Sequence, residues 1–289
     1  NRPVTLKLND VSILLGANGA GKSNIISFFR MLSYMMSKSF GKYVEMSGTS
    51  NALLHYGTKK TPVMSGEIKF SDSKSIDTYS FSLSNAAPDR LIITEERIVW
   101  HRKGKVKPYE VTLEPVFKES ALAESDNPVA KTIFQMLSYC KVYQFHDSSA
   151  EGPLRQVCPV ETTNYLQSHG NNLPSFLLFL RDNYINSYNR IVDYVRDVVP
   201  QFQDFYLEPN NRFISLRWMD NSATDYRFNA YQFSDGSIRF IALATLLLQP
   251  PQTMPNVIIL DEPELGLHPY AITQLAEMIK DASIHAQII

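Results

Sequence analysis

The chain has 289 residues, 44% of them hydrophobic and 20% charged, with a formal net charge of −1 and an isoelectric point near 6.7. That length buries a sizeable core, as one elaborate domain or as a domain carrying an inserted lobe. The balanced charge leaves no global field to draw the protein to nucleic acid or membrane, so any DNA surface must be local. Two cysteines, Cys140 and Cys158, have neither metal spacing nor the density of a secreted scaffold; they read as reduced cytosolic thiols, with Cys140 in the core. No apolar run is long enough to span a bilayer, because residues 238–248 are too few and residues 176–180 end at Arg181. The six histidines include no pair at metal-ligand spacing with a third partner.

From the N-terminus, a mostly apolar run at residues 11–15 enters Gly16, Ala17, Asn18, Gly19, Ala20, Gly21, Lys22 and Ser23, and a helical pattern leaves it. This fits the phosphate-loop pattern G-x-x-x-x-G-K-[ST] in its expected strand-to-helix context. Glycines let backbone N–H groups turn inward around phosphate oxygens, and the positive end of the following helix faces the same anion. Lys22 would reach the β- and γ-phosphates and Ser23 would bind Mg²⁺. Ile25, Phe28, Phe29, Leu32, Met35 and Met36 recur at three- and four-residue steps, predicting one buried face of the helix.

Alternating runs at residues 66–70, 78–83, 91–100 and 110–117 predict antiparallel strands. Between the last two lies the most basic stretch, His101-Arg102-Lys103-Gly104-Lys105-Val106-Lys107, which reads first as a solvated hairpin turn and second as a DNA contact. An apolar strand is expected at residues 141–145. Helical faces follow over residues 175–199, with Phe176, Phe179, Leu180, Ile191, Val195 and Val198, ending at Pro200. A strand pair at residues 212–219 and 225–230 leads into Phe233-Ser234-Asp235-Gly236-Ser237. There Ser234 can cap a helix and Gly236 lets backbone come close, although Ser-Asp-Gly in isolation is also an ordinary turn. The helix behind it, residues 238–248, is apolar nearly all round and hence buried.

Residues 257–260, Val-Ile-Ile-Leu, form a short apolar run that reads as a buried parallel strand, placing Asp261 and Glu262 at its C-terminal end. Ligands bind at that edge of an open α/β sheet. Asp261 is assigned to the Mg²⁺ shell and Glu262 to the attacking water as general base, with Lys22 as its catalytic partner. An acidic pair after a strand is otherwise a helix N-terminal charge preference.

The segment Phe233–Ser237 resembles the signature motif of the ABC ATPases. The resemblance implies that Ser234 and Gly236 contact nucleotide held by the phosphate loop of an opposite subunit, so that a homodimer or higher oligomer closes head-to-tail over two ATP. Pro263-Glu264-Leu265-Gly266-Leu267-His268-Pro269 looks like the acidic-strand extension of the RecF, SMC and OLD-type branch. The chain lacks the heptads of a long-armed SMC-type protein. Similarity is greatest to a bacterial group of predicted AAA-type ATPases, often found in phage-defence loci. It is carried by residues 16–24 (Asn24 included), 52–57, 142–148, 233–249 and 258–270.

The fold so implied is α/β: a P-loop ABC ATPase head with a mixed, mostly parallel core sheet, an added antiparallel β region and a helical signature lobe. The expected organisation is a first part of the ATPase core at residues 1–75, an inserted β and helical lobe at 76–204, and the signature region with the rest of the core at 205–289. A switch segment is expected after residues 287–289, and a missing portion of a first strand before Asn1. The resemblance implies an ATPase driving a DNA-related or anti-phage process. The alternative is an ATP-dependent scaffold that assembles or restrains an effector such as a nuclease. Gln144 is a candidate for the glutamine that couples nucleotide to the helical lobe, with His146 and Asp147 as neighbouring alternatives and a plain exposed loop as another reading. His268 is a subunit-contact residue by resemblance alone.

Overall fold

Glycine ends and helix begins at Lys22, where the first regular element, α1 (Lys22–Met36), starts. The computed structural model describes residues 3–17, 19–114, 119–161 and 164–289, together with the backbone but not the side chain of Thr224. These fall into two compact units, Asn1–Lys22 with Lys141–Ile289 and Ser23–Cys140.

In the Ser23–Cys140 unit, α1 buries Met31, Leu32, Met35 and Met36, the stripe anticipated from its spacing. Two short helices follow, α2 (Phe40–Met46) and α3 (Thr49–Leu53), neither capped by its own preceding side chain. Remote carboxylates supply the missing acceptors. Glu119 takes the backbone N–H groups of Phe40 (2.9 Å) and Gly41 (3.4 Å), and Asp89 takes the hydroxyls of Thr49 and Ser50 and the N–H of Asn51 (3.2 Å).

The predicted strands form an antiparallel meander, β1 (Val63–Ser71), β2 (Ser75–Ala86), β3 (Arg90–Arg102) and β4 (Tyr109–Leu113), in spatial order β1-β2-β3-β4. Alternation buries Tyr79, Phe81 and Leu83 of β2. On β3 a register shift opposite Ser82 and Leu83 leaves Thr94 as an extra residue, so Leu91 and Ile93 before it and Glu96 and Ile98 after it are all buried. Without that bulge, period-two alternation would have sent Ile98 outward. Phe28 of α1 stacks on Phe81 (centroids 6.2 Å apart, planes at 20°), and Gly66 of β1 makes room, since a Cβ there would lie 2.5 Å from the Phe81 ring. The last helix of this unit, α4 (Pro128–Ser138), is capped by Asn127, whose side chain accepts from Val129 N at 2.9 Å.

The second unit continues with β5 (Cys140–Tyr143), β6 (Cys158–Pro159), α5 (Leu173–Asn183), α6 (Ile185–Val198), β7 (Phe202–Tyr206), β8 (Phe213–Ile214), β9 (Arg217–Asp220), β10 (Ala223–Asn229), α7 (Asp235–Leu247), β11 (Val257–Leu260), α8 (Pro269–Ala282) and β12 (Gln287–Ile288). The helical stretch expected over residues 175–199 is two helices, broken at Tyr184. The strand expected over 212–219 is likewise split, β8 pairing with β6 and β9 lying between β10 and β7. The central sheet runs β12-β11-β5, with β11 and β12 parallel. Helix α7 is buried along nearly its whole length, in a core with α5, α6 and α8. The fold is α/β, with parallel and antiparallel strands.

One expectation fails in this unit. Residues 11–15, expected as the strand entering the phosphate loop, form no regular strand: Val11 makes a single parallel bridge to Ile288, flanked by Ser12 N to Ile288 O (2.9 Å) and Ile288 N to Asp10 O (2.8 Å). Pairing stops there, and Ile13 and Leu15 are 77% and 90% exposed. An apolar run buries both faces only where elements cover both sides of its sheet, and this segment lies outermost, beyond β12. The predicted strand at 110–117 ends at Leu113; residues 115–118 lie outside those described.

Candidate functional site

The phosphate-loop residues turn as their composition predicts. Gly19 (φ +81°) and Gly21 (φ +98°) occupy left-handed backbone that side-chain-bearing residues seldom adopt, and Ala20 N donates to Ala17 O at 3.1 Å. The ammonium of Lys22 donates to the carbonyls of Gly16 and of Ala17 (3.1 Å), so the lysine curls over its own loop. Asn18 lies outside the described residues. Ser23 and Asn24 are exposed in the first turn of α1 and belong to the Ser23–Cys140 unit, whereas residues 16–22 and the acidic pair belong to the other.

At the end of β11, Asp261 and Glu262 meet residues more than a hundred positions away. The Gln144 side-chain amide donates to Asp261 Oδ2, His146 Nε2 is 2.7 Å from Asp261 O, and Asp261 N donates to Tyr143 O at 3.2 Å. Of the three coupling candidates, Gln144 and His146 therefore reach the acid, while Asp147 instead caps Ser149, an arrangement that lowers its pKa through the Ser149 hydroxyl and N–H. The chain turns sharply at Glu262, whose φ of +44° is unusual for a residue with a side chain and costs on the order of 1–3 kcal/mol. Bonds from Leu265 N to Glu262 O and from Leu267 N to Glu264 O, both 3.1 Å, hold that turn. A small pocket behind it is lined by Tyr143, Phe145, His146, Arg239, Leu243 and residues 260–263.

The segment at Phe233–Ser237 is a capped helix start. Ser234 is extended (φ −64°, ψ 160°), and its Oγ accepts from Ser237 N at 3.1 Å. Gly236 packs against the turn after Glu262 so closely that a Cβ would lie 2.4 Å from Gly266 O. Arg239, one turn further along α7, donates to Leu265 O (2.9 Å) and His146 O (2.5 Å), tying the same two segments to the helix. Composition does not single out Arg239, since its acceptors are backbone carbonyls on distant loops. Arg155 is likewise invisible in the sequence: it is buried and hydrogen-bonded to Ser148, Ala230, Phe233 and Asp235.

The donor set fits ATP and Mg²⁺. The Asp261 carboxylate oxygens are hard ligands of the kind Mg²⁺ takes alongside substrate phosphates, and the Ser23 hydroxyl of the other unit is of the same kind. Asp261 is held by a neutral amide rather than by a cation, so its charge is not already compensated. Among the described residues no group of three or more His, Cys, Asp or Glu gathers as a metal cage. His268 caps α8, its Nδ1 lying 3.4 Å from Tyr270 N. The basic stretch after β3 is an exposed hairpin connection, with Gly104 at φ +83° and His101 Nε2 bonded to Lys105 O at 2.9 Å. No helix among the described residues is long and apolar enough to cross a membrane.

Residues 149–289 match the model of a family described as "AAA domain, putative AbiEii toxin, Type IV TA system". No curated protein matches the chain. Among solved structures it is similar to an SMC head bound to the C-terminal winged-helix domain of ScpA (15% identity, covering 100% of this chain and 84% of that one, TM-score 0.48). It is also similar to the SMC head domain from Thermotoga maritima (15% identity, 98% and 81% covered, TM-score 0.38). A third is an SMC head with an extended coiled coil bound to the C-terminal domain of ScpA, from Pyrococcus furiosus (13% identity, 94% and 81% covered, TM-score 0.44). The family match covers the signature segment and the acidic strand end, which makes that part of the chain similar to an AAA-type ATPase domain.

Proposed function

We propose that this protein binds and hydrolyses ATP, and that two copies pair head-to-tail so that the Ser234 and Gly236 helix start of one meets the nucleotide held by the other. The observation that carries this reading is the convergence at the end of β11. Gln144 and His146 from one distant stretch of chain, and Gly236 and Arg239 from another, all bond to or pack on Asp261 or the turn that follows Glu262.

In this reading the N–H groups of residues 16–23 and the Lys22 ammonium bind the phosphates, Lys22 exchanging its loop carbonyls for phosphate oxygens. Ser23 and Asp261 would be the Mg²⁺ ligands, and the ion would supply neutralisation of phosphate charge. Glu262 accepts a proton from the water whose oxygen bonds to the γ-phosphorus as the bond to ADP breaks. Its left-handed backbone, two residues past the end of β11, is consistent with that role. The positive end of the α7 dipole in the second copy faces the same γ-phosphate. The process served by this cycle is DNA-related or an anti-phage response.

Light scattering on Glu262→Gln, with and without ATP and Mg²⁺, tests the pairing. The expected result is a doubled mass only with nucleotide, since the variant binds ATP but cannot deprotonate the water. A mass independent of nucleotide would overturn the head-to-tail site.

A further inference from the structure

Arg155 is buried, and each of its three guanidinium nitrogens donates a hydrogen bond. Nε donates to Ser148 O at 2.7 Å, and the two terminal nitrogens donate to Ala230 O, to Phe233 O (3.1 Å) and to the Asp235 carboxylate (2.9 Å). Three of its four acceptors lie within residues 230–235, the turn that delivers Ser234 to its capping position. The fourth belongs to the loop following Gln144 and His146. That loop is itself fixed: Gly152 N donates to Ser149 O (2.9 Å), Arg155 N donates to Gly152 O (3.0 Å), and a Cβ on Gly152 would lie 2.4 Å from Asp147 O.

Asp235 poses an electrostatic problem at this place. It sits in the first turn of α7, where a carboxylate favours the helix but repels any anion approaching the same N–H groups. Its side chain is 66% exposed, whereas that of Arg155 is 5% exposed, so the positive charge is supplied from behind the turn.

We infer that Arg155 is a positioning residue of the signature turn. It holds residues 230–235 in place and cancels the Asp235 charge, so that the α7 N-terminus of one copy can accept the γ-phosphate of nucleotide bound to another. The inference rests on the head-to-tail reading above. Arg155 touches no nucleotide in this scheme; it acts through Asp235 and the Phe233 backbone. Because it also anchors the loop after Gln144 and His146, it joins the acid end of a copy's own site to the surface that serves its neighbour's.

The test uses ATP-driven pairing in the Glu262→Gln protein, compared with added Arg155→Gln, added Asp235→Asn, and both together. Binding of a fluorescent ATP analogue to the single chain serves as the control. Arg155→Gln should weaken pairing at least about tenfold, the scale expected when one member of a charge pair at an interface loses its partner, with single-chain nucleotide binding unchanged. Asp235→Asn should pair at least as tightly as the parent, and the double variant should recover most of the loss, which a purely structural role for Arg155 would not produce. Parental pairing by Arg155→Gln, or a double variant as weak as Arg155→Gln, overturns the inference. Should Arg155→Gln not fold, Asp235→Asn decides, and a loss beyond about tenfold overturns it. Failure of the Glu262→Gln parent to pair would instead overturn the head-to-tail reading itself.

Discussion

At the scale of single residues, the backbone of Glu262 sets a conflict between stability and activity. A left-handed residue with a side chain is strained, and glycine removes the strain. Glu262→Gly should therefore raise stability by up to about 1 kcal/mol in urea titration while abolishing ATP turnover, whereas Glu262→Gln abolishes turnover with stability unchanged. At Gly236 the conflict is steric. A Cβ 2.4 Å from Gly266 O must push α7 off the turn after Glu262, so Gly236→Ala should cost about 1–3 kcal/mol, read from the same titration, and should also lower ATP-driven pairing. The need for glycine at 236 was legible as a helix start with close backbone approach. The identity of what approaches, Gly266 O, was not, because it lies 30 positions further along the chain, beyond a helix and a strand.

At the scale of elements, caps supplied from afar predict a local response to acid. Asp89 accepts from Ser50, Thr49 and Asn51 N, and these bonds, the Ser50 hydroxyl first, hold its pKa below the usual carboxylate value. A depressed folded pKa means that the contribution is present above the unfolded value, near about 4, and is lost as pH falls through the folded value. Hydrogen exchange at Asn51 should then accelerate relative to the meander strands on acidification, and Asp89→Ala should show the same loss at neutral pH. The meander itself was readable from alternation, since cross-strand burial repeats every two residues. Its Thr94 bulge was not, because a one-residue shift in pairing leaves no mark in composition. The helix break at Tyr184 escaped notice for a similar reason: apolar faces at helical spacing continue on both sides of it.

At the scale of the molecule, the described residues form two apolar clusters, one within each compact unit. Ile98→Ala in one and Ile241→Ala in the other remove fully buried side chains, and each should destabilise by about 2–5 kcal/mol. Proteolysis under mild urea should cut first within Ser23–Cys140 for Ile98→Ala and within Lys141–Ile289 for Ile241→Ala; identical first cuts in both would contradict two cores. A net charge of −1 leaves any DNA contact to a local surface, of which the exposed stretch with Arg102, Lys103, Lys105 and Lys107 is the most basic. The slope of log affinity against log salt should then be no steeper than about −4, and a much steeper slope would reveal a further basic surface.

Residues 16–23, the capped start at Ser234 and the acidic strand end at Asp261 could be read from sequence because each is a local device. Glycines, a capping hydroxyl and a strand-terminal carboxylate act through the backbone of their immediate neighbours. Tertiary structure alone decided which of them meet: Gln144 and His146 on Asp261, Gly236 on Gly266, Arg239 on the carbonyls of His146 and Leu265, Arg155 beneath Asp235. It also decided that Ile13 and Leu15, in the apolar run that enters the phosphate loop, remain exposed. The reason is common to all of these. Hydrogen bonds to backbone carbonyls and burial at a sheet edge depend on where distant chain segments come to lie, and a carbonyl carries no side-chain identity by which a sequence could announce it.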